Sequence, residues 1–203
     1  MSSNPHAARS FTVRGIGLAL TLAACMFSSG ALAQSGTDAC AELPERFQHA
    51  VELFYAGARV ASVYDYSRED VQRFQLAGQA CPAIAAADAN GDGVTDTAFL
   101  VVTKWGHVLL LAARSDARTQ WHLDLLRDWG TERVGSVYVS AIRPGSYVDV
   151  NGKTRATARL AQEPGELKRI VAAHAGFVSG GIGSSGAAYF YVAHRWVHVW
   201  LAD

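Results

Sequence analysis

The stretch from Asp88 to Asp96 constrains the fold of this chain more than any other feature. It concentrates acidic and amide side chains and two glycines in one short segment: Asp88, Asn90, Gly91, Asp92, Gly93 and Asp96. A continuous apolar run over residues 98–103 follows directly and is typical of a buried strand. The stretch must therefore turn the chain tightly and deliver it into a β-sheet.

The spacing within this stretch matches the ligand positions of a calcium loop. Calcium binds six to eight oxygen atoms, mostly from carboxylates and carbonyls. Counted from Asp88, oxygen donors fall at positions one, three, five and nine, and a glycine falls at position six, as the calcium-loop rule requires. The predicted metal ligands are Asp88, Asn90, Asp92, the backbone carbonyl of Val94, and Asp96. We expect a structural Ca²⁺ here, against the alternative that Asn-Gly and Asp-Gly simply form a tight turn.

The loop departs from an EF-hand in two ways. Phe99 stands at position twelve, where an EF-hand has a bidentate Glu, and a strand rather than a helix follows. The pattern D-x-N-G-D-G-x-x-D before a strand resembles the calcium loops of FG-GAP and VCBS-type repeats, which join two strands of a propeller blade. The resemblance covers the loop and the next strand and occurs once, which implies one blade-like unit rather than a complete propeller. The layout of the chain also resembles small exported proteins of Gram-negative bacteria, which bears on architecture and location only.

Residues 1–33 have the pattern of a signal peptide. A basic stretch ending at Arg14 precedes an apolar run over 16–27, and Ala31-Leu32-Ala33 provides a small-x-small cleavage site. The apolar run is too short for a membrane-spanning helix, which needs about 20 residues. We expect a mature domain over 34–203 that is periplasmic or secreted. The alternative is a lipoprotein anchored at Cys25, because Leu-Ala-Ala-Cys resembles a lipobox.

The remaining cysteines, Cys40 and Cys81, predict a disulfide bond. Disulfides persist in oxidising compartments such as the periplasm. Closing a loop of this length would contribute roughly 3–4 kcal/mol by constraining the unfolded chain. A redox pair is the less favoured interpretation because the two residues form no C-x-x-C motif.

Composition argues against several classes of partner. Half of the residues are apolar, and the formal charge of the chain is zero. Without the signal peptide, 16 basic and 18 acidic residues remain. A chain without a basic patch is a poor candidate for nucleic acid or anionic membrane surfaces.

Hydrophobic periodicity predicts an α+β domain. Helical spacing predicts a helix over 43–55 that ends at Gly57, and Ser67 predicts the start of a second helix that ends before Gly78. Extended segments are predicted over 59–66, 83–87, 98–103, 107–113, 121–129, 137–142, 147–150, 167–172, 187–192 and 196–201, and a Gly/Ser-rich loop over 176–186. We predict N-terminal helices packed on a mainly antiparallel β-sheet built of hairpins, with the calcium loop between two strands.

The last predicted hairpin has one aromatic side. As strands, it would place on one side Tyr189, Tyr191, His194, Trp196, His198 and Trp200. Such a face suits contact with a protein or a carbohydrate. Two alternatives stay open: the N-terminal helix covers the face, or His194 and His198 bind zinc.

The sequence assigns no catalytic residue. It contains neither G-x-S-x-G nor H-E-x-x-H. We expect a non-catalytic module of the cell envelope that binds another protein, for example an immunity protein or an enzyme inhibitor. The alternative is an envelope hydrolase with a calcium-supported active site.

Overall fold

The structure, a computed structural model, describes residues 38–116, 120–150 and 165–201. The predicted signal peptide, including Cys25, lies outside the described residues. Those described form two five-stranded sheets, one two-stranded sheet and two short α-helices. All strand pairs are antiparallel except one, so the fold is mostly antiparallel sheet and roughly α+β. The described strands form three sheets, whereas the sequence predicted one.

The helices and strands follow the chain in a simple order. The α-helices are α1 (Glu45–Phe54) and α2 (Arg68–Leu76), and short 3₁₀ turns occupy Ala39–Glu42, Val63–Asp65 and Val134–Ser136. The first six strands are β1 (Arg59–Val60), β2 (Ile84–Ala87), β3 (Asp96–Val102), β4 (Val108–Ser115), β5 (Trp121–Asp128) and β6 (Val137–Ile142). The others are β7 (Gly145–Val148), β8 (Gly165–Glu166), β9 (Arg169–Ala172), β10 (Gly176–Gly181), β11 (Gly186–Val192) and β12 (Arg195–Leu201).

Both predicted helices are present, and local signals set their ends. The Ser67 hydroxyl accepts the N–H of Asp70 at 3.1 Å and caps α2. Gly57 and Gly78 follow α1 and α2 with φ of 77° and 83°, values that only glycine adopts at little cost. The extended segment expected over 59–66 is wrong beyond its first two residues, because Ser62 caps a 3₁₀ turn instead.

Sheet A contains the first five strands. β1 and β2 both pair with one edge of β3, β4 pairs with its other edge, and β5 is outermost. Sheet B has the order β6-β10-β11-β12-β8, in which β8 runs parallel to β12. Sheet C consists of β7 and β9. The acidic loop thus joins β2 and β3, two antiparallel neighbours of sheet A.

Alternating burial shows how these layers contact each other. In β3, Phe99 and Val101 share an apolar cluster with Phe47 and Val51 of α1, whereas Ala98 and Leu100 share one with residues of sheet B. In β11, Tyr189 joins that second cluster, whereas Ala188 and Phe190 pack with Ile170 and Ala172 of sheet C. Sheets A and B are therefore each buried on both faces, which explains their continuous apolar runs.

Most of the Gly/Ser-rich segment over 176–186 is strand, and only residues 182–185 form a turn, which corrects the predicted loop. Residues Gly176–Gly181 form β10, which pairs with β6 on one side and β11 on the other. A Cβ on Gly176 would collide with the carbonyl oxygen of Tyr189, and one on Gly180 would lie 2.7 Å from the Cα of Gly186. These glycines permit close approach of neighbouring strands, which composition alone cannot distinguish from a flexible loop.

The disulfide prediction is confirmed. Cys40 and Cys81 are bonded across 41 residues and tie the first 3₁₀ turn to the start of β2. Beside them the Gln79 amide donates to the carbonyl oxygens of Ile84 at 3.1 Å and Val139 at 2.6 Å, so one side chain links β2 to β6. In the described part of the chain, no helix has the length and apolarity to cross a membrane.

Candidate functional site

The acidic loop is closed by hydrogen bonds from its own backbone. The Asp88 carboxylate accepts the N–H of Gly91 at 2.7 Å and the N–H of Gly93 at 3.0 Å. Both glycines have positive φ, 77° and 82°, which lets the chain wrap around this carboxylate. The predicted turn is therefore present, with Asp88 at its centre.

Asp96 is the buried member of the loop. It is 0% exposed, and its two carboxylate oxygens accept the N–H groups of Ala89 at 3.0 Å and Ser115 at 2.9 Å. Burial raises the pKa of Asp96 above its usual value, against the effect of these two hydrogen bonds, and the negative charges of Asp92 and Asp88 raise it further. The charged form of the Asp96 carboxyl is therefore less favoured than it would be in water.

Ser115 at the end of β4 binds the loop, and sequence reasoning missed it. Its hydroxyl donates to Asp92 at 2.9 Å, and its carbonyl oxygen accepts from the Asn90 amide at 2.6 Å. Burial raises the pKa of Asp92, but hydrogen bonds from Val94, Asn90 and Ser115 outweigh it, and the net pKa lies below the usual value. The hairpin register pairs Thr97 with Ala113, so extending it would have placed Ser115 opposite the loop.

His174 is a second residue that the sequence did not indicate. It lies in the turn between β9 and β10, and a Cβ on Gly91 would collide with its imidazole ring. The turn that precedes β10 of sheet B therefore contacts the acidic loop of sheet A. The φ of 77° favours glycine at position 91, and a side chain there would also displace the exposed His174 ring.

The donor chemistry of the loop suits a hard cation, although its carboxylates do not converge on one point. Within residues 38–116, 120–150 and 165–201, no three His, Cys, Asp or Glu side chains form a group that could hold a metal ion. Asp88, Asn90, Asp92 and Asp96 are nevertheless all oxygen donors within one turn, which is the chemistry that calcium prefers. Each of these side chains now accepts hydrogen bonds from N–H groups, so a bound ion would share those oxygens.

The aromatic side of the last hairpin faces the interior. Tyr189 is 0% exposed, and Trp196 and His198 are each 8% exposed. The indole N–H of Trp196 donates to Asp124 of β5 at 2.8 Å, and the guanidinium of Arg127 lies 5.0 Å from the ring of Trp200. Sheet A of the same chain, including β5, therefore covers Tyr189 and Trp196 of the predicted partner face.

The two histidines of the hairpin have different environments. His194 lies in the exposed turn with φ of 62°, whereas His198 is paired with Tyr189 across the strands and its ring lies 5.6 Å from the Tyr189 ring. Of the predicted face, Tyr191, His194 and Trp200 keep exposed surface. The sequence left open that the N-terminal helix covers this face. Sheet A covers it instead.

A groove lies between α1 and β5. Its volume is about 660 Å³, and its walls include Phe47 and Phe54 of α1 and Trp121 and Leu123 of β5. The guanidinium of Arg46 lies 4.3 Å from the centre of the Trp121 ring. Binding sites for small ligands and side chains have volumes in this range, roughly 300–1,000 Å³. The groove combines apolar walls with a charged rim.

Comparisons with known proteins do not identify the chain. No protein-family model, curated protein or solved structure matches it significantly.

Proposed function

We propose that this chain is an exported, non-catalytic protein-binding module that carries a structural Ca²⁺ in the loop from Asp88 to Asp96. The observation that carries the binding role is the groove between α1 and β5. Phe54 on its wall is 68% exposed and the next residue in α1, Leu53, is 70% exposed, so apolar surface is accessible at this end of α1. An immunity protein or an enzyme inhibitor of the cell envelope is a concrete version of this role.

The disulfide supports export. The bond between Cys40 and Cys81 closes a long loop of the domain. Structural disulfides of this kind persist mainly in the periplasm and outside the cell. A periplasmic or secreted location is therefore proposed together with the binding role.

Two features support the calcium proposal. The loop supplies carboxylate and amide oxygens at the spacing that calcium loops use. Buried Asp96 has a raised pKa, to which the charges of Asp92 and Asp88 contribute, and a divalent cation would offset this repulsion. The ion's role would be to fix the β2–β3 connection.

Thermal unfolding tests the calcium proposal. Ca²⁺ at one hundred times its Kd, added to the EDTA-treated mature chain, should stabilise it by about 2.7 kcal/mol and raise Tm. Asp88→Ala should abolish the shift, whereas Glu52→Ala on the exposed side of α1 should keep it. An identical Tm in EDTA and in Ca²⁺ for the wild-type chain would refute the proposal.

A matched pair of surface variants tests the binding role. Phe54→Asp places a charge on the groove wall, and Leu76→Asp places the same charge on α2, where Leu76 is 91% exposed. Proteins captured from periplasmic extract by the wild-type chain should be lost with Phe54→Asp and retained with Leu76→Asp. Equal capture by all three proteins would show that the groove is not the binding surface.

A further inference from the structure

The floor of the groove is an open strand edge. Among the described residues, β5 pairs with β4 alone and ends the strand order of sheet A. The groove is lined by four consecutive residues of β5, Trp121 to Asp124. Because neighbouring residues of a strand point to opposite faces, a groove that touches four in succession reaches the strand's free edge, and Ala113 of β4 shows that it also extends over the face of the sheet. The unpaired backbone of β5 therefore faces the space beside α1.

The part of β5 that borders the groove is the regular part. Residues Trp121 to Leu125 pair without interruption with Leu111 to Ser115 of β4, and the register shifts only beyond them, between Leu110 and Leu111. Bulges commonly protect edge strands from pairing with other chains. The bulge in β5 lies outside the groove, so the edge of β5 that borders the groove is regular.

Among the described residues that line the groove, Arg46 is the charged side chain without an ion-pair partner. The groove residue Asp124 accepts hydrogen bonds from Trp196 at 2.8 Å and Arg114 at 3.3 Å, and His122 lies 3.6 Å from Asp116. In the described part of the chain, no carboxylate lies within ion-pair distance of Arg46, which stacks on Trp121 instead. An occupant with a carboxylate would complement this rim.

We propose that an extended segment of a partner protein adds to sheet A as a further strand along β5, with an acidic group at Arg46. Its backbone would pair with the free edge, and every second side chain would enter the apolar space between α1 and Trp121. A groove between a strand edge and a helix suits this mode of peptide binding, in which main-chain hydrogen bonds give affinity and alternate side chains give specificity. The proposal rests on the proposed binding role and names the site and the chemistry of the partner.

A displayed library of random ten-residue peptides, panned on the mature wild-type chain, tests this inference. Enriched peptides should alternate apolar and polar residues and carry Asp or Glu. For the best synthetic peptide, Arg46→Glu should raise the Kd at least tenfold, whereas Arg68→Glu, an exposed residue of α2, should leave it unchanged. Methylating alternate backbone nitrogens of the peptide should abolish binding. In the wild-type chain, the peptide should slow hydrogen exchange of the β5 amides, a readout that needs no variant to fold.

The outcomes separate this inference from the broader function. Failure to enrich any peptide, or enrichment of peptides that Arg46→Glu and backbone methylation do not affect, overturns strand addition. If Phe54→Asp still abolishes capture of a folded protein in that case, the groove binds a folded surface and the binding role stands. If capture is also unchanged, both proposals are wrong.

Discussion

Trp196 and Asp124, 72 residues apart in sequence, are joined by a hydrogen bond of 2.8 Å from the indole N–H to the carboxylate. The bond crosses from β12 of sheet B to β5 of sheet A. Arg114 donates to the same carboxylate at 3.3 Å and lies 4.2 Å from the ring of Tyr191. An aromatic surface that the sequence offered to an external partner is thus occupied by a polar contact within the chain.

Removing this contact should weaken the packing of the two sheets. Trp196→Phe deletes the donor and should lower the free energy of unfolding by about 1–2 kcal/mol, since hydrogen bonds to charged groups exceed the average. Asp124→Ala, combined with it in a double-mutant cycle under urea, should show a coupling energy of at least about 0.5 kcal/mol. Strictly additive losses would mean that the bond contributes nothing to stability.

The two glycines of the acidic loop should respond differently to alanine. Both have positive φ, so each substitution should cost about 1–2 kcal/mol from backbone strain. Only Gly91→Ala also collides with His174, because nothing lies within 4 Å of a Cβ on Gly93. Gly91→Ala should therefore destabilise more in urea, and adding His174→Ala should remove the excess. Equal losses for Gly91→Ala and Gly93→Ala would show that the exposed His174 ring moves aside at little cost and that the contact contributes nothing to stability.

The tight turn between β11 and β12 should be open to stabilisation. Ala193 and His194 have φ of 49° and 62° without being glycines, and two-residue hairpin turns with positive φ strongly prefer Asn-Gly. Ala193→Asn with His194→Gly should therefore raise the free energy of unfolding by about 1–2 kcal/mol, measured by urea denaturation. As a control, Ser184→Gly in the turn between β10 and β11 should not be stabilising. A loss of stability in the double variant would indicate that His194 makes a contribution that outweighs the strain.

The ion pair between Asp65 and Arg59 should give a defined dependence on pH. The hydrogen bond from Arg59 lowers the pKa of Asp65; burial opposes this, and the N–H of Ser62 adds to the lowering. Because the pKa of Asp65 is lower in the folded than in the unfolded state, its charged form stabilises the fold above the unfolded pKa of about 4. This stabilisation is lost as the pH falls through the folded-state pKa. Asp65→Asn should therefore cost at most about 1 kcal/mol at pH 7, since Arg59 is largely exposed, and this cost should shrink as the pH falls through the folded pKa of Asp65.

The opposite sign is expected for Asp96 and serves as the comparison. Because the pKa of Asp96 is higher in the folded than in the unfolded state, its neutral form stabilises the fold below the unfolded pKa of about 4. In EDTA, this stabilisation is lost as the pH rises through the folded-state pKa. The wild type should thus lose stability relative to Asp96→Asn between acidic and neutral pH. Parallel pH profiles for Asp65→Asn and Asp96→Asn would contradict both assignments.

Local signals in the sequence predicted most of the elements but not their assembly. Ser67, Gly57 and Gly78 act on their own helix ends, and the disulfide followed from counting cysteines. The strand over 176–181 was missed because its glycines are needed only where β11 and β6 approach, a tertiary constraint. Ser115 and His174 were missed for the same reason, since they reach the acidic loop only once hairpin register and sheet packing are known.

The aromatic hairpin shows a further limit of sequence reasoning. Alternation of residues correctly separated Trp196 and His198 from Val197 and Val199, because a strand has two faces. Alternation cannot say what covers each face. The covering element is sheet A, which contacts the hairpin through Asp124 of β5. Asp124 precedes its partner Trp196 by 72 residues in the sequence.

The position of the disulfide also bears on the order in which the chain matures. Cys40 and Cys81 both precede the acidic loop and every strand except β1. In a chain that emerges from its N-terminus, this cross-link can close before either large sheet has been made. The segment between the two cysteines, which carries α1, β1 and α2, would then be covalently closed before β3 to β12 pair, so closing this loop adds no entropy cost when the sheets assemble.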